Sequence, residues 1–144
     1  MKTFATVAIL LAASLSLFAQ TDGYDYTVAS SKSVDDAVAA ISAAAQVDGF
    51  KIAGTATLPS PVPAKVVEIC DPVGGRKVLD ADIKNALLLP CGKFAVYQDA
   101  KADMKTKASM LLPSNMMKIY PSKAVDDLAK NLDPRMRKIL QAAQ

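Results

Sequence analysis

The chain has 144 residues, of which 51% are hydrophobic and 22% charged, so it is large enough for one small domain with an apolar core. A net charge of +3 and few aromatic residues argue against a surface that binds nucleic acid. The sequence contains no histidine, which excludes histidine-based acid–base catalysis, Ser-His and Cys-His dyads, and imidazole ligands to a metal.

The first residues have the pattern of a secretory signal peptide. Lys2 precedes a mainly apolar run from Phe4 to Phe18, and Ala19 provides the small residue at the cleavage position. The run is short for a transmembrane helix, so no stable membrane insertion is expected after cleavage. We therefore expect residues 1–19 to be removed and residues 20–144 to form a single periplasmic or secreted domain.

Hydrophobic periodicity and turn signals predict the element order β-α-β-β-(α)-β-β-α-α. This order is typical of an α+β fold, in which a mainly antiparallel sheet of about five strands is covered by helices on one face. The predicted strands cover 24–28, 50–58, 65–70, 91–98 and 104–110. Helices are predicted from Ser33 to Asp48-Gly49, after Asp71-Pro72, around 116–120, from Ser122 through Leu132, and after Asp133-Pro134.

Glycine and proline affect two of these helices. Gly74-Gly75 predict a poor helix after Asp71-Pro72, although aspartate and proline are favourable at its start. Asp133-Pro134 predicts that one helix ends and a separate terminal helix begins. In the first strand, Tyr24, Tyr26 and Val28 are expected to share one side.

The two cysteines are placed to meet across neighbouring strands. If Val67 and Ile69 point into the core, Cys70 and Glu68 point to the opposite sheet face. An antiparallel pairing that sets Cys70 opposite Cys91 also sets Glu68 opposite Lys93, which is a favourable pair of charges. The residues expected to share this face with the cysteines are Glu68, Lys93, Lys105, Lys107, Lys51 and Thr55.

Export would place the cysteines in an oxidising compartment, where such a pair is expected to form a disulfide. Three functions remain open at this point. The domain could bind an unknown small ligand or protein partner; it could be a thiol redox or sulfur-handling protein, although a Cys-x-x-Cys motif is missing; or it could bind copper(I). The copper ligands would be Cys70 and Cys91 with Met104 and Met110, while Met116 and Met117 lie nearby, although methionines more commonly fill a core.

An enzyme is not favoured, because no spacing of serine and aspartate assembles a catalytic site. A homodimer is expected, because the sheet face opposite the helices carries the apolar residues Val66, Ala95 and Tyr97.

Several short motifs resemble one known family. They are Ser33-Val-Asp-Asp-Ala-Val38, Asp48-Gly49-Phe50, Glu68-Ile-Cys-Asp-Pro72 and Leu87-Leu-Leu-Pro-Cys91. Together they resemble the bacterial and archaeal domain of unknown function 302, over about residues 26–142. The resemblance implies an α+β fold similar to the TATA-binding-protein-like class and a homodimer, and it implies no activity. Gly74-Gly75 depart from the helical stretch that is usual in that family.

Overall fold

The structure is a computed structural model, and it describes residues 23–87, 91–116, 118 and 122–144. The predicted signal segment lies outside these residues, as does most of the helix expected around 116–120. The strands are β1 Asp25–Ser30, β2 Lys51–Thr57, β3 Ala64–Cys70, β4 Cys91–Asp99 and β5 Lys105–Leu111. The helices are α1 Val34–Val47, α2 Pro72–Ala81, α3 Pro113–Met116 and α4 Lys123–Gln141, with a 3-10 turn at Ile83–Leu87 after α2.

The five strands form one antiparallel sheet in the order β1-β5-β4-β3-β2. This arrangement confirms the predicted α+β class, and β4 and β5 form the predicted hairpin. Helices α1 and α4 contact the sheet, and α2 contacts α4. Within the described part of the chain, no helix is both long enough and apolar enough to cross a membrane.

The sheet has one face covered by helices and one open face. On β3 and β4, Val67, Ile69, Phe94 and Val96 are fully buried under the helices. The alternate positions form the open face, because successive side chains of a strand point to opposite sides. We define the open face by Val66, Glu68 and Cys70 on β3, Cys91, Lys93, Ala95 and Tyr97 on β4, Lys105, Lys107, Ser109 and Leu111 on β5, and Asp25, Thr27 and Ala29 on β1.

Helix α1 begins and ends as the sequence predicts. The Ser33 hydroxyl accepts a hydrogen bond from the Asp36 N–H at 3.1 Å and donates one to the Asp36 carboxylate at 2.7 Å. Gly49 has a φ of +85°, and the Phe50 N–H then bonds back to the Ala45 carbonyl at 2.9 Å. This is a glycine-terminated helix end, and it turns Phe50 into the core.

Helix α2 is regular over ten residues, so the prediction of a poor helix was wrong. The Asp71 carboxylate caps it, accepting hydrogen bonds from the N–H groups of Val73 and Gly74 at 3.1 and 3.0 Å. A Cβ atom at Gly74 would lie 2.4 Å from Leu128 of α4. The glycine therefore allows α2 and α4 to approach closely, and packing outweighs its low helix propensity.

Helix α4 passes through Pro134 without a break, so the prediction of two separate helices was wrong. Asp133 does not cap a new helix. Its carboxylate instead accepts hydrogen bonds from the N–H and hydroxyl of Ser114, at 3.0 and 2.5 Å. The buried stripe continues across the proline and offsets the lost backbone hydrogen bond. The buried residues of this stripe are Val125, Leu128, Ala129, Leu132, Met136, Ile139 and Leu140.

Two smaller predictions were also wrong. The pairing of β2 with β3 shifts between Ile52 and Gly54, which leaves Ala53 as an extra residue. This bulge reverses the alternation, so Thr55 lies opposite Val67 and leaves the face of the cysteines, while Lys51 remains opposite Cys70. Tyr24 precedes β1 and is 69% exposed, and it therefore does not share the buried side of Tyr26 and Val28.

Candidate functional site

Cys70 and Cys91 face each other at the end of the β3–β4 ladder. They are direct cross-strand partners, with Cα atoms 4.0 Å apart and sulfur atoms at disulfide-bonding distance. The same register pairs Glu68 with Lys93 and Val66 with Ala95, as predicted. The cysteine side chains are half-buried on the open face. The bond closes the segment that contains α2 and the 3-10 turn.

A cavity of about 550 Å³ lies on the open face beside Cys91. Val66, Ala95 and Ser109 contribute to it from three neighbouring strands, and their small side chains leave room above the sheet. Ala86 and Leu87 contribute from the 3-10 turn. The segment bridged by the disulfide therefore provides part of the cavity as well as Cys91 itself.

Three charged side chains line the cavity: Asp25, Glu68 and Lys93. Asp25 accepts a hydrogen bond from the Thr27 hydroxyl at 2.8 Å, and Thr27 is 2.7 Å from the Ser109 hydroxyl. Glu68 and Lys93 are cross-strand neighbours, so the sheet register brings both to the same place. The cavity thus combines an apolar lining with a small number of charged groups.

The other two predicted lysines lie at the far end of the open face. β4 begins at Cys91 and ends at Asp99, so its ends are about 26 Å apart at roughly 3.3 Å per residue. Lys105 pairs with Asp99, and the Lys107 ammonium is 2.7 Å from the Asp99 carboxylate. Lys107, together with the Lys101 N–H, holds the pKa of Asp99 below its ordinary value. The structure therefore does not bring Lys105 and Lys107 to the cysteines.

The methionines are also dispersed. Met104 lies in the β4–β5 turn, at the end of the sheet away from Cys91, and is 43% exposed. Met110 is a core residue paired with Phe94, and of the methionines that the structure describes, Met110 and Met116 line the cavity. Among the described residues, no group of three or more histidine, cysteine or acidic side chains could hold a metal ion. Copper binding stays a prediction, and its four candidate ligands are not assembled in this structure.

Arg135 organises a second cluster that the sequence analysis did not identify. Its guanidinium donates to the Asp48 carboxylate at 2.7 Å, to the Asp48 carbonyl at 2.8 Å and to the Asp71 carboxylate at 3.1 Å. It also lies 4.5 Å from the centroid of the Phe50 ring. Asp71 is only 4% exposed and therefore requires a cation. Because the burial of Asp71 is known only from the fold, no local pattern in the sequence points to Arg135.

A cavity of about 590 Å³ between α2 and α4 borders this cluster. The charged groups of Arg135, Asp48 and Asp71 are already bonded to one another there. Arg135 joins the Asp48-Gly49-Phe50 motif to the Cys70-Asp71-Pro72 motif, and both are anchored to α4. We therefore assign this cluster a structural role and regard the cavity beside Cys91 as the candidate site.

Comparison with known proteins places this fold and its motifs in one family. A search of curated proteins finds no significant match. A solved structure that is similar to the chain is the crystal structure of an uncharacterised conserved DUF302 protein from Bacillus stearothermophilus, with a TM-score of 0.75 and 21% identity, covering 85% of this chain and 99% of that one. The family model described as "Domain of unknown function DUF302" matches residues 26–143. The chain, with its five-stranded α+β fold, therefore belongs to the DUF302 family.

Proposed function

We propose that this chain is an exported binding domain that holds a small, mainly apolar molecule in the cavity beside Cys91. The observation that carries the proposal is the cavity itself. Its volume of about 550 Å³ falls in the range of roughly 300–1,000 Å³ that is typical of small-molecule sites. Its apolar lining with a few charged groups also resembles such sites.

The lining indicates the general chemistry of the ligand. Val66, Ala95 and Leu111 offer apolar contact area, while Glu68 and Lys93 can orient a polar group. The sheet fixes the backbone of the strand residues, so the cavity does not depend on a long loop to form. In this proposal the disulfide holds the ends of β3 and β4 together and keeps the 3-10 turn against the cavity.

Export is part of the proposal and is supported by the sequence of the first residues. The first residues form a signal-peptide pattern, which consists of Lys2, the apolar run from Phe4 to Phe18 and Ala19. Disulfides form and persist in oxidising compartments. N-terminal sequencing of the protein recovered from the periplasm or medium should begin at Gln20. Retention of Met1 on a cytosolic protein would contradict this part of the proposal.

The binding proposal can be tested with 1-anilinonaphthalene-8-sulfonate, an apolar fluorophore with one anionic group. The native protein should bind it saturably. Ala95→Phe should weaken binding about tenfold or more, because the new ring would occupy the cavity. Val47→Phe is the control, because Val47 is a 91% exposed residue of α1 outside the cavity.

Circular dichroism and thermal unfolding must show that both variants retain the fold, because partly folded proteins also bind this fluorophore. Binding that is unchanged in Ala95→Phe, or lost equally in both variants, would show that the cavity is not the site.

A further inference from the structure

We propose that the Cys70–Cys91 bond is a thiol-exchange site, and that the ligand class of the cavity is a low-molecular-weight thiol that attacks Cys91. This inference rests on the proposed binding function and makes its ligand specific. Of the two cysteines, Cys91 lines the cavity and Cys70 does not. A bound thiol would therefore meet one defined sulfur atom of the bond.

The strand order gives the attack a direction. Moving across the sheet from β5 to β2, one meets the cavity residue Leu111, then Cys91 on β4, then Cys70 on β3. Thiol–disulfide exchange proceeds by attack of a thiolate on one sulfur while the other sulfur departs, and the attacking, central and departing sulfurs are close to collinear. The cavity extends from Leu111 on β5 past Cys91 to Glu68 on β3, and a thiolate on its β5 side would approach Cys91 from the side away from Cys70.

One lysine lies on the strand of the attacked sulfur, and another lies across from the departing sulfur. Lys93 lines the cavity on the same face as Cys91, and its positive charge favours the thiolate form of the entering thiol, whereas the carboxylates of Glu68 and Asp25 in the same cavity oppose it. Lys51 is the direct cross-strand partner of Cys70 on the other side. Opposed residues of an antiparallel pair have Cβ atoms about 4.5–5.5 Å apart, so the Lys51 ammonium can reach the departing sulfur.

The step balances as a single exchange. The thiol first loses its proton to water, and its sulfur then forms a bond with Cys91 Sγ. The bond between the two cysteine sulfurs breaks, and its electron pair leaves on Cys70 Sγ as a thiolate beside Lys51. The sulfur of the entering thiol is oxidised to the disulfide level, and that of Cys70 is reduced to the thiol level. A lower pKa of a departing thiol accelerates its departure, which is the role assigned to Lys51.

The site of attack can be measured directly. The native oxidised protein is mixed with benzyl mercaptan, a small and mainly apolar thiol, then quenched with acid, alkylated and digested with trypsin. Arg76, Lys77 and Lys84 lie between the cysteines, so trypsin puts them on separate peptides. We expect the benzyl thiol on Cys91 and the alkyl group on Cys70, with at least tenfold preference over the reverse. Equal labelling, preference for Cys70, or labelling that requires denaturant would overturn the proposal.

Variants test separately whether exchange uses the cavity and whether Lys51 assists the departing sulfur. Ala95→Phe should slow adduct formation about tenfold, and Val47→Phe should leave it unchanged. Lys51→Gln should slow it about threefold at low salt, with a smaller effect at 1 M salt, because screening removes the contribution of an exposed charge. Lys105→Gln is the control, an exposed lysine at the far end of the open face.

The outcomes distinguish this inference from the binding proposal. Binding of the fluorophore without an adduct on Cys91 would overturn the exchange and leave the binding function standing. An adduct that forms equally fast in Ala95→Phe would show that exchange does not use the cavity, and would overturn the assignment of its ligand as a thiol. Equal rates in Lys51→Gln and Lys105→Gln would overturn the role given to Lys51.

Discussion

At the scale of single residues, the buried Asp71 carboxylate links helix α2 to helix α4. This carboxylate caps α2 and binds Arg135, although the side chain is almost fully buried. Arg135→Met should therefore destabilise the fold by about 2–3 kcal/mol. Breaking a fully buried ion pair costs roughly 3–5 kcal/mol, and partial exposure of Arg135 reduces this figure. Urea denaturation measures the change.

Arg137→Met is the matched control for this prediction. Arg137 lies on the same helix and stacks on the Tyr26 ring, with its guanidinium carbon 4.5 Å from the centroid. Loss of that stacking should cost about 1 kcal/mol or less. If the two variants lose equal free energy of unfolding, the contacts of Arg135 with Asp48 and Asp71 do not stabilise the fold more than the stacking of Arg137 on Tyr26 does.

At the scale of elements, Gly74 decides how closely α2 packs on α4. Gly74→Ala should lower stability by about 1–3 kcal/mol, because the new methyl group would overlap Leu128 and the Asp71 carboxylate. This is the reverse of the usual effect of replacing glycine by alanine in a helix. Gly54→Ala in β2 is the control, since a Cβ there meets nothing within 4 Å. Equal stability of the two variants by thermal unfolding would contradict the packing argument.

The elements that were predicted correctly are those specified by local patterns. Ser33 and Gly49 delimit α1 through bonds within a few residues of each, and the alternation around Cys70 and Cys91 fixed both the face and the register. The wrong predictions at Gly74 and Pro134 concern helices that depend on residues distant in sequence. In both cases packing against distant elements outweighs local helix propensity: Gly74 lies against Leu128, and the buried stripe of α4 continues across Pro134.

The candidate site was predictable only in part for the same reason. The register of β3 and β4 can be predicted from the alternation of buried and exposed positions alone. That register brings together Cys70, Cys91, Glu68 and Lys93. The cavity also depends on the 3-10 turn, and the separation of Lys105, Lys107 and Met104 from it depends on the lengths of β4 and β5. Those features require knowledge of where each strand ends, which the alternation alone does not give.

The disulfide joins two elements, and its removal should affect the stability of the whole fold. Cys70→Ser and Cys91→Ser should each lower the free energy of unfolding by about 3 kcal/mol, because each opens the same loop, whose ends are 21 residues apart. Thiol titration of the native protein should find no free sulfhydryl. Urea curves of the two variants that match the wild type, or that differ strongly from each other, would contradict a stabilising bond.

At the scale of the molecule, the open face and the two edges of the sheet leave surface that a second copy could cover. Strand β2 is an edge with mostly exposed side chains, and the open face adds half-buried apolar residues such as Ala95. We predict a homodimer through that face or its adjoining edge, as two-fold pairing is the commonest way to close such a surface. Light scattering should then give about 26 kDa, and not the 13 kDa or so expected for a monomer without its signal segment.

Two lysine substitutions test whether the open face is the dimer interface. Ala95→Lys should shift the protein toward the monomer if the open face is the interface, because a charge would be buried there without a partner. Val47→Lys, on α1 and 91% exposed, should leave the mass unchanged.

Fluorophore binding also distinguishes the two interfaces. A dimer through the open face would cover the cavity, so binding should weaken as protein concentration rises. A dimer through the β2 edge would leave binding independent of protein concentration. A mass near 13 kDa at micromolar concentration for the unmodified protein would contradict both routes.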